Sequence, residues 1–510
     1  MQSALWDVTN TSSNYCSWYG VYCYDSRVTR IDLGYCGLSG TLPAGELCAS
    51  LLSLESLYLS FNTLQGSLPV ALAQCSALED LELDGNNITG TIPPEFSQLL
   101  NMADFDVSFN HIVGTVPATF SAWTQLESFA ISNNNISGSL SPSFESWTAL
   151  RYLYTYNNNM TGTLSPNFGV WRSLIAFKVH SNRFSGTLPS EYASWVLIDV
   201  FSVSGNQLIG TLPPQYASWG TSIQYFYVYN NSLSGSLPGD YSKWSSIVEV
   251  NANINSFTGT LPAMYSLWSS VTLLYIASTQ ISGAIPDSWA DMQSLFSLQL
   301  YLNSLSGTLP NSFAKLGNLV AINVAFNNLS GTLPVAAWAQ RQKVQSIIVQ
   351  DNPYLHGDIP SSWNSLFASR GGYFAMVSIC RTQICGAALP ALLLGYGCLA
   401  SNYLPLLANV DYSTLANLAE GTTWTPSIAC GAVKHNITIV KTTPSHTEDI
   451  RDDDNQPIAS SSSSTVTATS TTLIAAGVGI QQLLTPAASA GALHALQGAL
   501  VMRRLRDAAG

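Results

Sequence analysis

The residues of this 510-residue chain that could do chemistry are few in kind. There is no Gly-x-Ser-x-Gly, no His-Glu-x-x-His and no Walker loop, so three common signatures are missing: a serine nucleophile, a zinc-bound water and a phosphate cradle. Gly395-Tyr396-Gly397-Cys398-Leu399-Ala400 satisfies a dinucleotide spacing formally, but no βαβ pattern surrounds it, so no cofactor is expected. The six histidines are scattered, and Asp452-Asp453-Asp454 reads as a solvated linker, so neither metal ligands nor catalytic residues are expected. The chain is therefore expected not to be an enzyme, unless unrelated side chains converge across repeats. What remains is tyrosine interleaved with charge: Tyr152, Tyr154, Tyr156, Lys178 and His180, then Tyr225, Tyr227, Tyr229, Tyr275 and Tyr301, preceded by Glu82, Asp84, Asp104 and Asp106. Spacing of two places such groups on one face of a strand. Rigid amphipathic rings on a surface offer non-covalent contact of the hot-spot kind; the plainer reading is that tyrosine simply favours strands.

The elements that position these residues follow from a repeat. The phrase Asn-x-Leu-x-Gly-x-Leu-Pro recurs with its glycine at 40, 66, 90, 114, 138, 162, 186, 210, 235, 259, 283, 307, 331, 357 and 386, and most of the spacings equal 24. A fixed period of this size means a solenoid whose units contact only their neighbours. Nine and seven residues before the glycine stand apolar pairs such as Leu57 and Leu59, Phe105 and Val107, or Ile322 and Val324, the alternation of a short strand with one buried face. Such strands stack in parallel.

Other columns have their own tasks. Four residues before the glycine stands asparagine at 62, 86, 110, 134, 158, 182, 206, 231, 255, 303 and 327. An inward amide can both donate and accept, and so satisfy backbone groups left open where each strand turns. The glycine supplies a conformation or an approach that a Cβ resists, and the following Leu-Pro starts the convex return with a fixed φ. Three residues after the proline position stands Phe96, Phe120, Phe144, Phe168, Tyr192, Tyr216, Tyr241 or Tyr265; six after it stands Trp123, Trp147, Trp171, Trp195, Trp219, Trp244 or Trp268. Spacing of three predicts one face of a short helical or 3₁₀ turn packed inward, with the tryptophans as core. Eight residues before the glycine the exposed strand column reads Asp32, Tyr58, Glu82, Asp106, Ala130, Tyr154, Lys178, Ser202, Tyr227, Asn251, Tyr275, Gln299, Asn323 and Val349. At about 4.8 Å per strand, fifteen units give a face about 70 Å long, suited to an extended protein or glycan partner.

The unit LxxLxLxxNxLxGxLPxx resembles the plant-type 24-residue leucine-rich repeat. Cys16-Ser17-Trp18-Tyr19-Gly20-Val21-Tyr22-Cys23 resembles the amino-terminal cap of plant leucine-rich receptors and of polygalacturonase-inhibiting proteins. The SGTLP phrasing with a repeated Ser-Trp before the next strand is similar to kinetoplastid surface antigens of the promastigote type. The resemblance covers roughly residues 16–390. It implies an α/β solenoid: a right-handed horseshoe with a parallel sheet on its concave face, 3₁₀ turns on its convex face and disulfide-stapled caps. It also implies an extracellular recognition or adhesion scaffold, often glycosylated and membrane-anchored.

Nine cysteines cluster at the ends, with none between Cys75 and Cys380. Cys16 is expected to pair with Cys23 and Cys48 with Cys75, while Cys36, in the asparagine column, is expected to stay a buried thiol. Cys380, Cys385, Cys398 and Cys430 allow three pairings. Zinc fits poorly, because the spacings lack paired CxxC and only His435 lies near. Sequons at Asn10, Asn87, Asn135, Asn159, Asn230, Asn328 and Asn436 would carry glycans on the secretory route. Residues 1–7 show no signal peptide, which is read as a truncated start.

The expected organisation is a cysteine cap over 1–30, repeats over 31–390, a second cap over 391–435 and a Ser/Thr-rich stalk over 436–472. Residues 473–502 are uncharged and precede a basic tail over 503–510; they read as a single-pass anchor or as a disordered or amphipathic tail. Thirty acids against eighteen bases, net −12, exclude a basic face for nucleic acid or anionic lipid. The functional expectation is a non-catalytic cell-surface recognition or adhesion protein, binding a protein or glycan on the concave face. Hydrolase inhibition and a structural surface coat are the alternatives.

Overall fold

In a computed structural model of the chain, residues 15–43, 48, 51–334, 344, 346–359, 376–378 and 382–386 are described. They belong to one compact unit, Met1–Thr443. The second expected cap, the stalk and the candidate anchor lie outside them, as do Asn10, Asn436, Cys380, Cys398 and Cys430.

Each unit contributes one three-residue strand to a sixteen-stranded sheet. The first strand, Val21–Tyr24, runs antiparallel to Arg27–Asp32; the fourteen strands after that one follow in chain order, each parallel to the last, ending at Met376–Ser378. Alternation works as the residue types require. Leu57, Leu81, Phe105, Phe129, Leu153, Phe177 and Phe201 form one buried row, while the residues on either side of each point to the concave face.

The glycines hold a flanking ladder of short strands such as Ser185–Thr187 and Gln207–Thr211. Gly186 has φ +79°, and a Cβ there would come within 2.9 Å of Thr163 Cγ2. Both the left-handed angle and the packed threonine methyl of the previous unit exclude a side chain.

The asparagine column closes the strand ends. Asn182 Oδ1 accepts from Met160 N at 2.9 Å, and its Nδ2 donates to Thr155 O at 2.9 Å and Val179 O at 3.2 Å, so one buried amide ties two successive units. Asn352 does the same for Leu329 N and Val324 O although a longer unit shifts it by one position, which is why the fixed-offset count missed it. The same longer unit corrects the concave column: Ile348, not Val349, pairs beside Asn323, and Val349 is buried. Cys36, at the head of the column, is half-exposed rather than buried, its Sγ donating to Gly34 O.

The convex side carries five-residue 3₁₀ turns such as Ala118–Ala122, Pro142–Ser146 and Pro166–Val170. The tryptophans after them are fully buried and stack along the axis, Trp147 on Trp171 and Trp171 on Trp195, both at 6.3 Å between ring centroids. Each indole N–H donates to a carbonyl of the previous unit, as Trp147 Nε1 does to Phe120 O at 2.8 Å. Trp289, at the aromatic rather than the tryptophan position, reaches Pro262 O in the manner of the tyrosine hydroxyls of its neighbours. At the amino-terminal end Cys16 joins Cys23, and Cys48 joins Cys75.

Candidate concave binding face

Three lanes of side chains run across the concave face, because a three-residue strand presents its first and third residues there and the next alternate residue follows. At the amino-terminal end Arg30 lies between rings, its guanidinium 4.6 Å from the Tyr58 centroid and 5.2 Å from that of Tyr22, and it pairs with Asp32 at 2.8 Å. Tyr58 donates to Asp80 Oδ2 at 2.7 Å. The strands Asp80–Glu82 and Asp104–Asp106 then bring Asp80, Glu82, Asp104 and Asp106 side by side, with Asp84 just beyond the first strand. Burial holds the Asp106 carboxyl well above the usual carboxylate range, and the charge of Asp84 adds to it; burial raises Asp84 as well. Desolvation disfavours the charged form of both.

Strand Tyr152–Tyr154 begins the aromatic stretch. Tyr152, Tyr154 and Tyr156 are half-buried, with Tyr152 and Tyr154 6.1 Å apart. Lys178 Nζ stands 5.2 Å from the Tyr154 ring, and burial lowers its pKa. His180 stacks on Tyr156 at 4.5 Å and faces Ser202 Oγ at 3.1 Å through Nδ1; burial, with the charge of Lys178, brings its pKa down to about 4, so it is neutral at pH 7. Burial raises Tyr154. Further along, Tyr225, Tyr227 and Tyr229 form a second half-buried row, and Tyr227 donates to Glu249 Oε2 at 2.9 Å. Glu249 occupies the first residue of its strand, a lane the single-column sequence reading did not follow. Tyr275 is half-buried on the same face.

Tyr301 is the exception. It is 1 % exposed, packed with Ala277, Ala325 and Ile348, and burial pushes its hydroxyl up to about 12; it does not belong to the open tyrosine surface. Its alanine neighbours and Ile348 form an apolar cluster around it, a context invisible from the tyrosine column alone. Among the sequons, Asn87, Asn135, Asn230 and Asn328 are exposed on the flank, and Asn159 is half-buried with its amide donating to Asn135 Oδ1. No cluster able to hold a metal ion and no helix long and apolar enough to cross a membrane occurs among the described residues.

The sheet, the glycine and amide ladders and the convex turns define a leucine-rich repeat solenoid of the plant type. The Leucine Rich Repeat family model matches residues 53–75, 77–99 and 125–147. Two Arabidopsis thaliana proteins are similar over short stretches: probable inactive receptor kinase RLK902, 44 % identical over 75 residues, and Protein MALE DISCOVERER 1, 46 % identical over 66. Those stretches are 15 % and 13 % of this chain and 11 % and 9 % of the relatives, so the chain spans about a tenth of their length. Among solved structures, the plant peptide hormone receptor RGFR1 in complex with RGF2 is 28 % identical with a TM-score of 0.60, over 70 % of this chain and 60 % of that one. The PEPR1–AtPEP1 structure is 25 % identical with a TM-score of 0.64, over 70 % and 49 %.

Proposed function

We propose that this chain is a non-catalytic recognition protein of the cell surface or extracellular space, which binds an extended polypeptide along its concave face. The observation that carries the reading is the pair of half-buried tyrosine rows, Tyr152–Tyr154–Tyr156 and Tyr225–Tyr227–Tyr229, on lanes with no covering element among the described residues. Two disulfides at the amino-terminal end favour an oxidising compartment. The likeness to receptors solved with peptide ligands favours a peptide over a glycan. The similarity of the SGTLP phrasing to kinetoplastid surface antigens is consistent with surface display.

Peptide and glycan arrays probed with the full chain test the reading. Wild type is compared with a variant carrying Tyr154→Ala, Tyr156→Ala, Tyr227→Ala and Tyr229→Ala. The variant is expected to lose at least tenfold in affinity for whatever the wild type captures; equal capture by both proteins contradicts the reading. A hydrolase-inhibitor role would instead appear as stoichiometric inhibition, and a coat role as no saturable ligand at all.

A further inference from the structure

The concave face changes character after Tyr275. Through the strands Ser297–Gln299, Ala321–Asn323 and Ser346–Ile348, every residue on its three lanes is closed to solvent, from 6 % exposed at Gln299 to 0 % at Gln350. On the strands Tyr152–Tyr154 and Tyr225–Tyr227 the same lanes are half-buried. Small size does not account for the difference, since Gln299, Tyr301, Asn323, Ile348 and Gln350 are all among the closed residues.

Two further observations agree with a covered face. A second apolar cluster, Ala277, Tyr301, Ala325 and Ile348 with Leu302 and Phe326 packed against it, lies apart from the main core on which the other side of the sheet rests. The sheet is therefore buried on both sides here. The sequence carries the same signature, because alternation gives way to Leu319-Val320-Ala321-Ile322 and Ile347-Ile348-Val349, the near-continuous apolar runs of parallel strands covered on two faces. Charge disappears as well. Lanes that hold Asp80, Glu82, Asp104, Asp106 and Lys178 upstream hold no charged residue from Leu273 to Gln350.

The closure is a property of the single chain, so the cover is the chain's own. The described residues form concave strands, flank strands and convex turns, none of which lies over these lanes. In repeat order, residues 335–343 and 360–375 follow the flank strands Ser330–Thr332 and Tyr354–Ile359, the place of the convex return. What remains is the chain beyond the last flank strand, Gln383–Gly386, and the compact unit runs on to Thr443. Its composition matches the face: residues 387–435 carry charge only at Asp411, Glu420 and Lys434, and are rich in leucine, as at Leu392-Leu393-Leu394. We propose that residues 387–435 fold back over the strands Ser297–Gln299, Ala321–Asn323 and Ser346–Ile348 and fill that part of the concave face as a built-in occupant. Burial of apolar surface on both partners drives the contact. An external polypeptide then has the face from Asp80–Glu82 to Leu273–Tyr275, and its run ends against this segment. The proposal bounds the surface assigned above but does not depend on any ligand binding there.

The test uses the full chain and needs no ligand. Hydroxyl-radical footprinting of the wild type compares Tyr301 and Ile348 with Tyr152 and Tyr225; the first two are expected to oxidise at least tenfold more slowly. In a second measurement a diazirine analogue of leucine, close to isoleucine in size, replaces Ile348, and a mixture of isotopically light and heavy chains is irradiated. Adducts should join position 348 to residues 387–435 within one chain, while the same analogue at Leu100, exposed on the convex return, should give none there. Oxidation of Tyr301 as fast as Tyr225 overturns the proposal without recourse to any variant. Adducts that join light to heavy chains put a second copy on the face and overturn it too, as does the absence of any adduct in residues 387–435. None of these results bears on the arrays probed with the tyrosine variant, so the two readings fail separately.

Discussion

Asn182→Ala removes one rung of the amide column. Asn182 satisfies Met160 N through Oδ1 and two carbonyls, Thr155 O and Val179 O, through Nδ2. Met160 and Thr155 are fully buried, so water cannot replace the lost partner without opening the unit. Leaving a buried backbone donor or acceptor unsatisfied costs about 1–3 kcal/mol per group. Carbonyls retain a second lone-pair direction and suffer less than the N–H, so the sum is set near 3 kcal/mol rather than at the arithmetic maximum. Because each unit touches only its neighbours, the loss should also split a cooperative transition into two blocks, one on each side of residues 155–182. Denaturant unfolding followed by tryptophan fluorescence reads both effects, since the buried indoles run from Trp123 to Trp289. Arg183→Ala, at the adjacent exposed position, is the control and should shift stability by less than about 0.5 kcal/mol. A change below about 1 kcal/mol for Asn182→Ala would refute the view that the column closes the solenoid's backbone.

Further outcomes follow from other features. Asp106 and Asp84 titrate above the usual carboxylate range when folded, so the folded state holds protons that the unfolded state releases; stability should fall as pH rises from about 4 through that raised range, and Asp106→Asn should flatten the slope in thermal scans at pH 5 and pH 8. Gly162→Ala meets both a φ of +85° and Ser139 Cβ at 2.8 Å from the new methyl, and is expected to cost about 2 kcal/mol in chemical denaturation. Phe109 holds φ 54° at a position where some units use asparagine, serine or glycine and others, like it, a large apolar residue (Phe61, Ile254, Leu302, Phe326), and it is 39 % exposed; Phe109→Asn should stabilise by about 1 kcal/mol, read as a raised midpoint.

Periodicity made most of the fold legible, because every unit repeats the same physical solution. The strand alternation, the amide column, the glycine at a left-handed angle and the inward tryptophans each have a job that the residue type alone can identify, and the structure assigns those jobs to the same positions. Failures came where spacing drifts: Asn352 and Ile348 sit one residue from the extrapolated offset, since a 26-residue unit bulges the return without changing the pairing. The binding face was legible only as a set of columns. Tyr154 and Tyr227 could be placed on it from parity, but not their partners, because Lys178 over Tyr154 and Glu249 on Tyr227 are contacts between neighbouring strands, 24 and 22 residues apart in the chain, that depend on rotamer and tilt. Tyr301 shares its parity with the open tyrosines and is nonetheless buried, as its fate is decided by Ala277, Ala325 and Ile348 around it.

Site-directed photocrosslinking interrogates the binding face most directly. A benzophenone side chain is placed at Tyr227 on the concave lane, at Arg183 on the flank and at Leu100 on the convex return, each in the full chain, and irradiated with the peptide that the array selects. The concave surface being the one that touches, the covalent adduct should form at position 227 and not at 183 or 100. Adducts at 183 or 100 with none at 227 would contradict it.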